Sequence, residues 1–130
     1  MLEIAHHLFA DGPKPVAPYS HAVVAGDFLF LTGQMPSPPN DPSIVVPGGI
    51  EAETVQVMEN LSSVLAKLGS SLDRAVMVRV FLTHFEEDYA AMNAVYERYF
   101  APDKRPARTC VGVTGLAVGA RVEIDLIAAR

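Results

Sequence analysis

Hydrophobic and polar positions along the 130-residue chain change their period several times, and each period predicts one kind of element. Near the N-terminus, the short apolar segment 3–9 predicts a strand. Two further apolar runs, 21–25 and 28–32, flank Gly26-Asp27, a pair typical of the tight turn of a β-hairpin. The first part of the chain therefore predicts a strand followed by a hairpin.

Helical spacing follows in two segments. Residues 50–68 repeat apolar side chains every three or four positions, and Gly69 comes directly after them, where a glycine commonly ends a helix. A second helix is predicted over residues 86–100 and ends before Pro102. The predicted buried stripes consist of Ile50, Thr54, Met58, Leu61, Leu65 and Leu68 in the first helix, and of Tyr89, Met92, Val95, Tyr96, Tyr99 and Phe100 in the second.

Three more β-rich segments, 75–83, 108–113 and 121–128, complete the pattern. The first of them is almost continuously apolar, which predicts a central strand covered on both faces. The element order β-ββ-α-β-α-β-β favours one α+β domain over residues 1–130, with two helices on one face of a mixed sheet. The other face of that sheet would be bare and apolar, so we expect it to be covered by oligomerisation.

Two proline-rich segments interrupt the elements. Residues 11–18 carry three prolines, which exclude a central strand and fix an extended path. Residues 34–49 carry five more and predict a surface loop, with Gly48-Gly49 at the start of the first helix. Neither segment resembles a phosphate-binding glycine loop.

Composition and charge restrict the class of protein. Half of the residues are hydrophobic, 19% are charged and the net charge is −5, which is globular composition without a basic footprint for nucleic acid. No run is apolar enough for a membrane span, and the N-terminus lacks the features of a signal peptide, so we expect a cytoplasmic protein. The single cysteine excludes an internal disulfide, and the four dispersed histidines have no metal-ligand spacing.

The strongest candidate chemistry lies near the C-terminus. Arg108 opens one predicted strand and Glu123 lies inside the next, so we expect them on neighbouring strands. A guanidinium can bind a carboxylate through two parallel hydrogen bonds, and a glutamate in a partly apolar cleft can transfer protons. The alternatives are a solvated or ion-paired arginine and an exposed strand acid.

Other candidates are weaker on spacing alone. Cys110 points to the same side of its strand as Arg108 and is more typical of a small core residue than of a nucleophile. Tyr19 follows the first proline-rich segment and could donate a proton to a ligand or close the edge of the core. Asn93, on the second helix, would ordinarily be a solvated polar position.

Taken together, four segments resemble the RidA/YjgF family, the reactive intermediate deaminases also called the endoribonuclease L-PSP family. The resemblance spans nearly the whole chain in order, and Pro-Ala-Arg-x-Cys is its most specific element. The segments are Ala17-Pro18-Tyr19-Ser20-His21-Ala22-Val23, Phe30-Leu31-Thr32-Gly33-Gln34, Met92 to Phe100, and Pro106-Ala107-Arg108-Thr109-Cys110-Val111 with Val122-Glu123-Ile124.

This resemblance implies a chorismate-mutase-like α+β fold, a homotrimer with a central barrel, and sites in the clefts between subunits. It implies hydrolysis of reactive enamines and imines, such as 2-aminoacrylate, to 2-keto acids and ammonia, without a metal or cofactor. Arg108 would bind the substrate carboxylate, Glu123 would position or activate water, and Tyr19 would contribute to proton transfer. Thr32, Gly33, Cys110 and Asn93 would line the substrate pocket.

The chain also departs from the family pattern. Thr32 stands where serine is usual, His21 replaces a frequent glutamine, and Glu53 stands where glutamine is common. These departures leave two alternatives open: a module that binds small carboxylates without turnover, and a deaminase of a larger enamine acid such as 2-aminomuconate. Ribonuclease activity, a label that some relatives carry, conflicts with the acidic charge and the scattered basic residues.

Overall fold

The computed structural model describes residues 1–130 and contains six strands and two α-helices. The helices are α1 (Gly49–Lys67) and α2 (Phe85–Tyr96). The strands are β1 (Ile4–His7), β2 (Ala22–Ala25), β3 (Phe28–Gln34), β4 (Ala75–Leu82), β5 (Ala107–Gly112) and β6 (Val122–Ala129). Short 3₁₀ turns over Leu72–Arg74, Glu97–Tyr99, Pro102–Lys104 and Ala117–Gly119 join the later elements.

All six strands form one mixed sheet in the order β1-β2-β3-β6-β4-β5. Every neighbouring pair is antiparallel except β4 and β5, which run parallel because α2 carries the chain back across the sheet between them. The predicted hairpin is confirmed: Ala25 pairs with Phe28 around Gly26, whose φ of 59° is the left-handed conformation that the turn requires. The predicted α+β architecture is therefore confirmed.

Helix α1 ends as its sequence predicts. Gly69 adopts a φ of 72°, its N–H donates to the Ala66 carbonyl, and the N–H of Ser70 donates to the Leu65 carbonyl. This pair of bonds is the Schellman motif, which satisfies carbonyls left unpaired at the end of the helix. Of the predicted stripe, Thr54, Met58, Leu61 and Leu65 are fully buried, while Ile50 and Leu68 pack at its margin.

Helix α2 is shorter than predicted because it ends at Tyr96 and tightens into a 3₁₀ turn over Glu97–Tyr99. Met92, Val95 and Tyr96 are buried as expected, but Tyr89 is exposed. Strand ends also shift by one or two residues; β1, for example, covers residues 4–7 rather than 3–9. Such terminal differences are usual where hydrogen bonding, rather than hydrophobicity, defines an element.

The core lies between the sheet and the two helices. In β6 the side chains of Val122, Ile124, Leu126 and Ala128 are buried, and they alternate with the more accessible Glu123, Asp125 and Ile127. The alternation predicted for this strand is therefore confirmed, and Glu123 lies on the side of the sheet that faces away from the helices.

That second side of the sheet is only partly covered. We call it the open face and define it by Phe28, Phe30, Phe81, Val111 and Ile127, of which Phe28 and Phe30 are 45% and 43% exposed. The expectation that β4 is covered on both faces is wrong for a single chain, because Val76 and Arg79 of this strand are exposed. Its continuous apolar run reflects two apolar faces, only one of which the helices cover.

Neither helix combines the length and the apolarity that crossing a bilayer requires.

Candidate active site

Arg108 lies on the helix side of the sheet, where its in-register neighbour Val78 is part of the core. Its Nη1 donates a hydrogen bond of 2.7 Å to Oδ1 of Asn93, and its Nη2 lies 3.5 Å from the Tyr89 hydroxyl. Its guanidinium carbon lies 4.9 Å from the centre of the Tyr96 ring, within the range of a cation–π contact. Helix α2 therefore holds this guanidinium through neutral side chains.

No carboxylate of the chain pairs with Arg108: the ion pairs involve Lys67, Arg79, Lys104 and Arg121. A surface cavity of about 240 Å³ opens beside it, lined by Asn93, Tyr96, Glu97, Phe100, Arg105, Pro106 and Arg108. A guanidinium fixed by an amide and aromatic rings, without an anion of its own, is suited to bind a carboxylate from outside.

Tyr96 forms the apolar floor of this cavity. Burial raises the pKa of its phenol to about 12, and the nearby Arg108 only partly offsets that effect. The buried hydroxyl of Tyr96 has no hydrogen-bond partner within the chain. The phenol therefore stays neutral near pH 7 and stacks beneath the guanidinium without competing as an anion.

Glu123 lies on the open face, next to the end of β3. Its carboxyl group packs against Gly33 so closely that a Cβ built on that glycine would lie 2.1 Å from Oε2. Burial raises the pKa of Glu123, Asp125 adds to this rise, and Arg79 opposes it. A carboxyl with a raised pKa returns a proton more readily than an ordinary glutamate does, which suits a group that both accepts and donates protons.

A β-bulge shapes this part of the site. Leu31 pairs with Leu126 and Gln34 pairs with Ile124, so that Thr32 and Gly33 together oppose one residue of β6. The extra residue brings the bare backbone of Gly33 to the Glu123 carboxyl, and no side chain lies between them. Thr32 and Gly33 thus join Glu123 at one end of the sheet.

Tyr19 lies beside the same end of the sheet. It lines a narrow cleft of about 20 Å³ together with Gly33, His21 and residues of both proline-rich segments. Its hydroxyl accepts a hydrogen bond of 3.2 Å from the Val16 N–H, which bends the first proline-rich segment around the ring. Gly33 therefore adjoins both the Tyr19 cleft and the Glu123 carboxyl, and we treat Tyr19, Thr32, Gly33 and Glu123 as one candidate group, away from Arg108.

The expected placement of Arg108 and Glu123 on neighbouring strands is wrong. Strand β4 lies between β5 and β6, and the two side chains point to opposite sides of the sheet. Each strand alternates its side chains, and the register pairs Arg108 with the buried Val78 but Glu123 with Phe81 of the open face. One chain therefore cannot bring these two groups to one ligand.

Cys110 accompanies Arg108 on the helix side and packs at the margin of the core. Burial raises the pKa of its thiol, and Arg108 only partly counteracts this. A thiol that resists ionisation is a poor nucleophile, in agreement with the interpretation of Cys110 as a small core residue.

Two features escaped the sequence analysis. Tyr89 and Tyr96, which it assigned to the buried stripe of the second helix, join the predicted Asn93 on the face of α2 that contacts Arg108. Spacings of four and three place these side chains on one face, and this spacing could have identified the two tyrosines. The buried Asp88 forms two hydrogen bonds with Arg121, whose backbone N–H donates to the buried Glu53. Burial raises the pKa of Glu53, and its carboxyl group holds the start of β6 through the Arg121 N–H.

No three His, Cys, Asp or Glu side chains are grouped to bind a metal ion.

Comparison with known proteins identifies the family of this chain. The profile of the family described as Endoribonuclease L-PSP matches residues 9–130. The RutC family protein PH0854 of Pyrococcus horikoshii is 43% identical over 118 residues, which cover 91% of each chain. The crystal structure of YEO7 from yeast superposes with a TM-score of 0.91 at 37% identity, covering 98% of this chain and 99% of the other.

A structure of TdcF from E. coli with bound serine superposes with a TM-score of 0.86 at 27% identity, covering 97% of this chain and 98% of the other. The profile match and the identity to the RutC protein extend over nearly the whole sequence. The chain therefore belongs to the RidA/YjgF family, also described as the endoribonuclease L-PSP family.

Proposed function

We propose that this protein is a deaminase that hydrolyses reactive 2-enamine and 2-imino acids, such as 2-aminoacrylate, to 2-keto acids and ammonia. The observation that carries the proposal is Arg108, a guanidinium held by Asn93 beside an open cavity and free of any carboxylate of its own chain. A 2-imino acid offers the planar carboxylate that this group can bind. The serine bound to the related TdcF carries the same carboxylate.

The complete site would be shared by two subunits. Because Arg108 and Glu123 point to opposite sides of one sheet, we infer that Arg108 of one protomer works with Glu123 of the partner subunit. The exposed Phe28 and Phe30 of the open face supply apolar surface for such an assembly. A homotrimer, which the family resemblance implies, would place these two groups in the clefts between subunits.

In the proposed reaction, an enamine first takes a proton at its terminal carbon and becomes an iminium ion. Glu123 then accepts a proton from water while the water oxygen attacks C2, which forms a tetrahedral carbinolamine. Glu123 or Tyr19 returns a proton to the amino nitrogen, the C–N bond breaks, and ammonia leaves. The hydroxyl proton is lost as the C2 carbonyl forms, so one water is consumed for each ammonia released.

Arg108 would act mainly by binding and orientation. Its guanidinium holds the carboxylate so that C2 faces the attacking water, and this fixed geometry removes part of the entropy cost of the reaction. Thr32 would line the pocket with its hydroxyl and an additional methyl group. Cys110 would contribute through backbone and packing, because its thiol does not ionise readily.

A panel of imines tests the proposal. An amino-acid oxidase or a dehydratase generates each imine, and 2-keto acid release is compared with the uncatalysed rate. We expect acceleration by the native protein and a fall in kcat/KM of about 100-fold or more in Arg108→Ala, because a charge-assisted pair is lost. Arg98→Ala removes an exposed arginine that has no ion pair and is the matched control. Full activity in Arg108→Ala would refute this role.

A larger enamine acid is the second candidate, and one observation favours it. Arg105 lines the same cavity as Arg108, so a second carboxylate could meet a second cation. The panel therefore includes 2-aminomuconate, and a preference for it over small imines would support this candidate. Saturable binding of 2-keto acids without turnover of any imine would instead favour a module that only binds carboxylates.

A further inference from the structure

The side chain of His21 makes two hydrogen bonds to backbone groups, and neither partner has a role in the proposed reaction. The ring is 1% exposed, its Nδ1 accepts a hydrogen bond of 2.7 Å from the Phe9 N–H, and its Nε2 contacts the Pro13 carbonyl. An amide N–H can only donate and a carbonyl can only accept, so Nδ1 bears the lone pair and Nε2 bears the proton. These partners therefore define one neutral tautomer.

The two bonds tie together separate parts of the chain. Phe9 follows β1, while Pro13 lies in the first proline-rich segment, which leads to Tyr19. The Phe9 ring stacks on His21 at 5.7 Å with an angle of 7° between the planes. A Cβ on Gly12 would come within 3.0 Å of the imidazole, so the chain wraps closely around this ring. The imidazole thus fills the space inside the loop of residues 9–13 and forms hydrogen bonds with its two end residues, Phe9 and Pro13.

The backbone of His21 extends this connection to β3. Its N–H donates to the His7 carbonyl at 2.8 Å, and its carbonyl accepts the Thr32 N–H at 3.1 Å. His21 is therefore two residues from Tyr19 along the chain and directly bonded to Thr32 across it. Both of these residues adjoin Gly33, which packs against the Glu123 carboxyl.

Few other bonds hold the proline-rich segment. Its three prolines lack N–H groups, and the Lys14 N–H, which donates to the Pro39 carbonyl at 3.1 Å, is the backbone bond that joins residues 13–18 to a distant part of the chain. The other backbone bonds near this segment are local, from Gly12 to the Phe9 carbonyl and around Tyr19, and the exposed Asp11 forms an ion pair of 3.7 Å with Lys67 at its start. The position of Tyr19 thus depends strongly on the bond between the imidazole and Pro13.

We propose that His21 is a positioning residue, which holds Tyr19 and Thr32 in place for proton transfer at the Glu123 side of the site. The proposal rests on the deaminase function proposed above. It assigns the imidazole no contact with substrate. Instead, the neutral ring acts as a bridge from Phe9 to Pro13, and its loss releases the segment that carries Tyr19.

Two substitutions separate positioning from simple packing. His21→Leu fills similar space but removes both hydrogen bonds. His21→Gln supplies an amide with one donor and one acceptor about as far apart as the two ring nitrogens, so it can bridge Phe9 and Pro13 again. His6→Leu replaces an exposed histidine and is the matched control.

We expect His21→Leu to lower kcat by about tenfold or more while KM changes by less than about threefold, because Arg108 lies on the other side of the sheet. His21→Gln should regain most of the lost kcat, and His6→Leu should match the native protein. Native kcat in His21→Leu would overturn the proposal, as would equal impairment in the Gln and Leu variants.

Hydrogen exchange provides a readout that needs no turnover. Amides of Phe9, Tyr19 and Thr32 should exchange about tenfold faster or more in His21→Leu, but at nearly native rates in His21→Gln. If the native protein hydrolyses no imine, the deaminase proposal fails. The exchange rates of these amides still show whether His21 holds the segments of Tyr19 and Thr32 in place. Unchanged exchange of these three amides in His21→Leu would overturn the positioning role.

Discussion

Gly33→Ala is the sharpest perturbation of the proposed proton-transfer group. The added methyl carbon would lie 2.1 Å from Oε2, 2.9 Å from Cδ and 3.2 Å from Cγ of Glu123. Non-bonded heavy atoms are stable at about 3.5 Å, so the carboxyl oxygen must move by about 1 Å or more. The substitution therefore displaces Glu123 without removing its charge or its hydrogen-bonding capacity.

The fold should tolerate this change. Gly33 does not use the left-handed backbone conformation, and the clash involves the end of a flexible side chain rather than backbone. We expect a loss of about 1 kcal/mol in the free energy of unfolding. A displacement of about 1 Å in a catalytic group costs about 100-fold in rate, so kcat should fall far more than stability does.

The assay compares kcat and KM for imine hydrolysis with the thermal midpoint of each variant. Gly115→Ala is the matched control, because open space surrounds that glycine and its φ is not left-handed. We expect it to behave as the native protein does. A Gly33→Ala variant that is folded and retains native kcat would refute the reasoning that the Glu123 carboxyl must occupy its present position.

Three further predictions address stability, titration and assembly. Asp88→Ala should lower the free energy of unfolding, measured in urea, by about 2 kcal/mol, because it leaves Arg121 without its buried partner. Glu87→Ala removes an exposed partner of the same arginine and should lower it by less than about 0.5 kcal/mol. Equal losses in the two variants would contradict this reasoning. Because the pKa of Glu123 is raised in the folded chain, its carboxyl favours folding most at low pH and loses this contribution as pH rises above its ordinary 4.5. Glu123→Gln should therefore melt at a higher temperature than the native protein at pH 8 and at a similar temperature near pH 4, and a gap that widens at low pH would contradict the sign. Phe30→Lys should lower the mass measured by light scattering, and a native chain that is already monomeric would refute assembly through the open face.

The sequence predicts most of the elements because their periods are strong. The hairpin at Gly26-Asp27, the end of α1 at Gly69 and the alternation around Glu123 all follow from local rules that one segment satisfies alone. The ends of the elements differ by one or two positions at β1 and by four positions at the end of α2. In these places hydrogen bonds and packing decide where the element ends.

The spatial relation of the site residues could not be predicted in this way. Nothing local to Arg108 or Glu123 reveals that β4 is inserted between their strands, because strand order depends on the packing of the whole sheet. The buried bridge formed by His21 likewise joins segments twelve and eight residues away. Long-range pairings of this kind leave no periodic signal in the sequence.

Complementation between two inactive variants tests most directly whether the site is shared between subunits. Arg108→Ala and Glu123→Gln are each assayed alone, then unfolded together in equal amounts, refolded and assayed again. If each site takes Arg108 from one protomer and Glu123 from the partner subunit, random assembly gives about a quarter of the sites both native groups, and activity should return to that fraction. If the mixture remains as inactive as the separate variants while its oligomeric state is native, the two residues do not act across a subunit boundary and the account is wrong.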